Sequence, residues 1–141
     1  MSAGDRRLLR VFISSPSDVR PERLIAERLV RRLEREFACH LWVGPVILER
    51  EPLLAAPPFQ DLRNIPPPRS TDIAVVILWS SLGMPLPVDD FRGAVSGKVP
   101  VTGTEWEFED ALAACRADGR PDLLVYRKTA PSSPRSITTR R

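Results

Sequence analysis

The stretch DIAVVILW, residues 72–79, is apolar at nearly every position. A strand with one wet face alternates polar and apolar residues. A continuous apolar run of strand length predicts burial on both faces, as in a parallel sheet. Parallel neighbours cannot be joined by tight turns, so such a chain must place helices or long crossovers between its strands. The rest of the sequence supplies them. LLRVFIS, Leu8 to Ser14, is a short apolar run that stops at Ser-Ser-Pro-Ser and reads as the first strand. Asp18 or Ser17 is positioned to cap a following helix, with Pro21 in its first turn. Ile25, Leu29, Leu33 and Phe37 recur at four-residue spacing among charged residues, which predicts an amphipathic helix laid on a core. Leu41 to Leu48 is a second strand interrupted by Gly44 and Pro45, and Asp122 to Arg127 is a fourth. Between the third and fourth strands lie a long irregular stretch, Ser80 to Thr102, and a second helix, Thr104 to Ala117. Phe108, Leu112 and Cys115 form the apolar stripe of that helix and Gly119 its C-terminal cap. The expected fold class is α/β, a parallel sheet flanked by helices.

Composition bounds the function classes. A chain of 141 residues with 43% hydrophobic and 28% charged residues fits one domain, residues 1–128. The segment 129–141 is rich in Arg, Ser and Thr, has almost nothing to bury and is expected to be a disordered basic tail. Most of the 15 prolines fall between Pro52 and Pro68 or between Pro85 and Pro100, marking irregular connections. The net charge of +3 comes largely from Arg127, Lys128, Arg135, Arg140 and Arg141, so a nucleic-acid surface is poorly supported. No apolar run approaches the roughly 20 residues of a membrane span, so neither a membrane nor a nucleic acid is an expected partner, and a cytoplasmic location is the expectation. Cys39 and Cys115 lack metal-ligand spacing and read as reduced core thiols. His40 is the sole histidine, and neither GxGxxG nor GxxxxGK[ST] occurs, which argues against a metal site, a His-based triad, a dinucleotide fingerprint and a P-loop.

Ligands of open parallel sheets bind at the carboxyl ends of the strands. Three polar or Gly-rich segments are expected there: SSPSD (Ser14 to Asp18), WSSLG (Trp79 to Gly83) and GTEWE (Gly103 to Glu107). The first suits an anion, or serves only as a helix cap. Glu107 also reads two ways. Thr104-x-x-Glu107 fits a capping box, in which the carboxylate turns back to the helix start. Alternatively Glu107, Ala111 and Ala114 form a small-residue stripe from which the carboxylate projects into the crevice, where partial desolvation suits general acid-base or sugar-hydroxyl chemistry. Glu105 and Glu109 are expected on solvated faces, and Trp106 as a lid or a core residue.

VFISSPSDVRPER (Val11 to Arg23), DIAVVILWSSLGMPLP (Asp72 to Pro87) and GTEWEFEDALAACRADGRPDLLVYRK (Gly103 to Lys128) together resemble bacterial TIR-like domains. These stand at the N-terminus of multidomain NTPase and repeat-containing signalling proteins. The GT-x-x-E-x-x-x-A pattern is also similar to nucleoside deoxyribosyltransferases. The resemblance implies a flavodoxin-like fold and a signalling or defence module. It implies Glu107 as the catalytic carboxylate of N-glycosidic chemistry, with NAD as substrate and no required cofactor. It further implies a nucleotide cleft lined by Ser14, Ser15, Asp18, Trp79, Ser80, Gly103 and Thr104, with Asp72 at the start of the central strand on the same cleft. Downstream NTPase or repeat domains and a homo-oligomer are the partners it suggests, and a C-terminal truncation relative to the family is expected. Two other readings stay open: a non-catalytic self-association domain in which Glu107 only caps its helix, and a deoxyribosyltransferase-like enzyme.

Overall fold

The computed structural model describes residues 7–38, 41–47 and 67–131. Along the chain it contains β1 (Arg7–Ser14), α1 (Arg20–Glu36), β2 (Leu41–Ile47), β3 (Ile73–Leu78), α2 (Gly103–Asp118) and β4 (Asp122–Arg127), with 3-10 turns at Ser17–Val19 and Pro68–Ser70. The four strands form one sheet in the order β2-β1-β3-β4, and every pairing is parallel. The fold is therefore the expected α/β, flavodoxin-like arrangement. From β1 the chain steps one way to β2, and from β3 the other way to β4. Right-handed crossovers then put α1 and α2 on opposite faces.

Side-chain parity confirms the two faces. Val11 and Ile13 of β1 and Ile77 of β3 are buried with Val19 and Val30, and Ala26, Ile73, Val75 and Trp79 pack around them. This is the α1 side. Phe12, Ser14, Ala74 and Val76 point the other way and are nearly inaccessible, and Ser14 bonds to α2. The α2 side is sealed over β1 and β3, whereas Ile73 and Val75 on the α1 side stay only partly buried. The continuous apolar run of β3 thus reflects two unequal faces.

Several local expectations are corrected. The stripe of α1 does not lie on the core: Ile25 is 65% exposed and Leu29 54%, and Leu33 and Phe37 are exposed as well. Val30, Ala26 and the 8%-exposed Glu27, paired with Arg23, turn toward the sheet instead. The residue before α1 is Val19 and makes no side-chain cap, so neither Ser17 nor Asp18 caps that helix. In α2 the buried positions are Gly103, Thr104, Glu107, Glu109, Asp110 and Ala111, while Phe108, Leu112 and Cys115 are only half-buried. The sheet-facing side of α2 is small and polar, which a hydrophobicity pattern does not register. Gly119 does end α2, with a left-handed φ of 72°. Cys115 is a free thiol. Cys39, His40, the first proline-rich connection up to residue 66 and the tail from residue 132 lie outside the described residues.

The irregular segment 80–102 is tied down by backbone bonds and carboxylates. Leu86 N–H donates to Val101 O (2.8 Å) and Gly103 N–H to Met84 O (3.1 Å). Glu109, expected on a solvated face, is buried and accepts from Ser96 N–H at 2.6 Å. Asp110 holds the turn before β3, accepting from Arg69 N–H at 3.0 Å and pairing with the Arg69 guanidinium at 2.6 Å. Trp106 stands edge-on to Phe91 of the same segment, with ring centroids 5.4 Å apart. Gly93 lies against Glu109 so closely that a methyl group there would collide with the carboxylate. Gly93→Ala is expected to lower unfolding free energy by roughly 1–3 kcal/mol in a urea titration, the range for overpacking. Val95→Ala in the same segment, at an exposed position, should stay within about 0.5 kcal/mol of the parent.

Candidate functional site

Ser14 is the last residue of β1 and is 1% exposed. Glu107 lies one turn into α2 and is 6% exposed. The Ser14 hydroxyl donates a short hydrogen bond to Glu107 Oε2, joining the strand end to the helix start. The helix cap is formed elsewhere. Thr102 precedes α2, its hydroxyl accepts from Glu105 N–H (3.3 Å), and Glu105 Oε2 accepts from Thr102 N–H (2.9 Å). The capping box is therefore Thr102-x-x-Glu105, not Thr104-x-x-Glu107. Two overlapping T-x-x-E patterns occur two residues apart, and helix capping uses the first. Glu107 is left facing the sheet.

Gly103 and Thr104 belong to the same place. Both are buried at the start of α2, and Gly83, in the loop after β3, sits against the Thr104 hydroxyl. Ser14, Gly103, Thr104 and Glu107 are thus brought together on the α2 side of the sheet end.

Ser15, Asp18, Trp79 and Ser80 are not part of that group. Ser15 points to the opposite face and accepts from the Arg23 guanidinium at 3.3 Å. Asp18 Oδ2 accepts from Ser80 N–H (3.0 Å), the Ser80 hydroxyl (2.8 Å) and Ser81 N–H (2.9 Å), holding the loop after β3 against the start of α1. Trp79 has the parity of Ile77 and so lies on the α1 side. Its indole N–H donates to Ala130 O (2.7 Å), and Lys128 Nζ lies 4.2 Å from the centre of its ring. Trp79, Ser80, Arg127, Lys128, Thr129 and Ala130 line an open cavity of about 480 Å³. The last four were not singled out from sequence. Their position after a strand that ends beside Trp79 was the available signal. Asp72 is corrected more sharply: it stands at the opposite end of β3, accepts from Arg10 N–H (2.8 Å) and lies 3.6 Å from the Arg120 guanidinium. Six strand residues at about 3.3 Å each separate it from the carboxyl edge.

The electrostatics follow from these pairings. Burial pushes the Glu105 carboxyl up, but hydrogen bonds from the Lys98 ammonium (2.8 Å) and from Thr102 outweigh it and hold the group below its ordinary value of 4.5. Glu22 is also lowered, chiefly by its hydrogen bond from Lys128 (2.6 Å) and despite the like charge of Asp18. Asp18 Oδ1 and Glu22 Oε2 are buried without a hydrogen-bond partner among the described residues. Among those residues no group of three His, Cys, Asp or Glu side chains is arranged to hold a metal ion, and no helix is long and apolar enough to cross a membrane.

Compared with family models, with curated proteins and with solved structures, the chain matches none.

Two outcomes are expected. The folded-state pKa of Glu105 and of Glu22 lies below the unfolded value, so each stabilises the fold above about pH 4.5 and loses that contribution as pH falls through its folded value. Urea midpoints measured from pH 6 to pH 3 should therefore fall, and Glu105→Gln should flatten that descent. Ser14→Ala removes the donor to a buried carboxylate and should lower stability by about 1–3 kcal/mol at neutral pH, read by the same denaturant titration.

Proposed function

We propose that the chain is a nucleotide-binding signalling or defence module in which Glu107 is the carboxylate that acts at a ribosyl centre, with the N-glycosidic bond of NAD as its target. The observation that carries this reading is the Ser14–Glu107 hydrogen bond: the carboxylate is buried at the carboxyl edge of a parallel sheet and takes no part in capping its helix. A carboxylate held in that way by a hydroxyl is oriented before substrate arrives. Leaving-group departure from C1 of a ribose builds positive charge on the ring, and a fixed, poorly solvated carboxylate stabilises that charge more than water does. Arg127 and Lys128 line the open cavity with Trp79, and those cations and that ring suit the phosphates and the flat base of a nucleotide. The TIR-like resemblance supports the same substrate class. Deoxyribosyl transfer draws less support, because Asp18 is engaged by the Ser80 loop and Asp72 stands at the far end of the sheet.

Purified chain at high protein concentration is expected to consume NAD and release nicotinamide, measured chromatographically. Glu107→Gln should reduce turnover at least about 100-fold with an unchanged circular dichroism spectrum. Absence of turnover in the parent, tested also when the chain is fused to an oligomer, would remove the catalytic reading.

A further inference from the structure

β4 is an outer strand of the sheet, and its middle is poorly covered on both faces: Leu124 is 44% exposed, Val125 47% and Tyr126 57%. Edge strands are ordinarily guarded by charge, proline or a covering loop. The other outer strand, β2, carries Gly44 and Pro45, whereas the middle of β4 is Leu124-Val125-Tyr126. The ladder fixes where the backbone of β4 points. Asp122 N–H donates to Asp72 O (2.9 Å) and Lys128 N–H to Leu78 O (2.8 Å). The N–H and C=O of one residue point to the same side and alternate along a strand, so the even-numbered residues of β4 serve β3. Leu123, Val125 and Arg127 direct theirs to the outer edge, where no described strand pairs with them. The chain leaving β4 turns the other way, since Ala130 O accepts from the Trp79 indole just past β3 (2.7 Å).

We propose that this edge is a self-association surface, on which β4 of a second copy pairs antiparallel about a two-fold axis through Val125. The strand is self-complementary in that register. With Val125 on the axis, Val125 meets its own copy and Leu123 meets Arg127, and in both pairs the outward N–H and C=O groups face each other. Between them Leu124 opposes Tyr126, and Asp122 opposes Lys128. Apolar thus meets apolar, the carboxylate meets the ammonium, and the aliphatic stem of Arg127 lies along Leu123. Asp122 is exposed and has no ion-pair partner among the described residues, while Glu22 of the same chain holds Lys128 on the α1 side, the face that Asp122 shares with Leu124 and Tyr126. Neighbouring registers are poorer. Centring on Leu123 sets Val125 opposite Pro121, which has no N–H, and centring on Arg127 sets two guanidinium groups together. Centring on Leu124 opposes Asp122 to Tyr126, and centring on Tyr126 opposes Leu124 to Lys128, so each leaves a charge without its partner. Neither helix obstructs the pairing. α2 touches β1, β3 and β4 and so is centred over β3, about 7 Å from the axis at one and a half strand spacings. The two copies of α2 then stand about 14 Å apart, beyond the 8–10 Å of packed helices, and α1, over β1 and β2, lies farther out.

The test is sedimentation velocity of the full chain from about 5 μM to about 500 μM, the range suited to a small interface. A monomer–dimer equilibrium is expected. Val125→Pro removes the outward N–H at the axis and leaves the β3 ladder its donors, so it should weaken the dimer at least about tenfold. Leu124→Lys should weaken it at least about fivefold. Adding Tyr126→Glu to Leu124→Lys should return the dimer to within about twofold of the parent, because the two new charges face each other across the axis only in this register. All three variants are at exposed positions, and circular dichroism checks their fold. Hydrogen exchange locates the contact: the Leu123, Val125 and Arg127 amides should exchange rapidly at the lowest concentration and become protected at the highest. A monomer throughout, a dimer insensitive to both Val125→Pro and Leu124→Lys, or a double variant no better than Leu124→Lys would overturn the proposal. Protection of those amides in the monomer would assign the edge to another segment of the chain and overturn it equally.

Discussion

Strict alternation of side chains along β1 and β3 is the constraint on which the rest of the structure depends. Ser14 and Ser15 are neighbours in sequence, yet one faces α2 and bonds to Glu107 while the other faces α1 and meets Arg23. Ile77 and Trp79 share a face, and Trp79 is carried away from Glu107 by that parity alone. The carboxyl edge of the sheet therefore has two halves. One is a buried Ser14–Glu107–Thr104 group, and the other an open Trp79–Ser80–Lys128 group stitched to α1 through Asp18 and Glu22. The loop after β3 joins them, bound to Asp18 at Ser80 and lying against Thr104 at Gly83.

Carboxylates do much of the holding where regular structure stops. Asp18 accepts from the Ser80 and Ser81 N–H groups, Glu109 from Ser96, Asp110 from Arg69 and Asp72 from Arg10. An ionised acceptor on a backbone donor makes a short, strong bond, and each one satisfies an N–H that lacks a strand or helix partner. This explains how a segment as long as 80–102, rich in Gly and Pro, keeps a defined path beside a candidate site. It also explains why α2 buries Glu107, Glu109 and Asp110: its inward face meets polar loop backbone and a strand-end serine rather than an apolar layer alone.

The two faces differ in what covers them. On the α2 side Phe12, Ala74 and Val76 are sealed. On the α1 side one helix covers two of four strands, and apolar residues of α1 and β4 remain in contact with water. The buried Glu107 group and the exposed apolar residues of α1 and β4 thus lie on opposite faces of the sheet, and the Glu22–Lys128–Trp79 group stands at the carboxyl edge of the α1 side.

The sequence by itself determined the element order, the parallel sheet and the ends of most elements, because these follow from local patterns: a continuous apolar run in β3, Ser-Ser-Pro after β1, Gly119 after α2. It also marked Glu107 and Ser14 as candidates. Only the tertiary structure decided which of two overlapping T-x-x-E patterns caps α2, since both satisfy the same local rule and the choice depends on which Glu comes opposite Ser14. It decided that the α1 stripe lies beside the core rather than on it, because four-residue spacing drifts about 40° per step around a helix and the sheet meets Val30 instead. It also separated Trp79 and Asp72 from the Glu107 group: spacing along β3 fixes their relative faces and ends, but which face α2 covers, and so which of them meets Glu107, is settled only when the elements assemble.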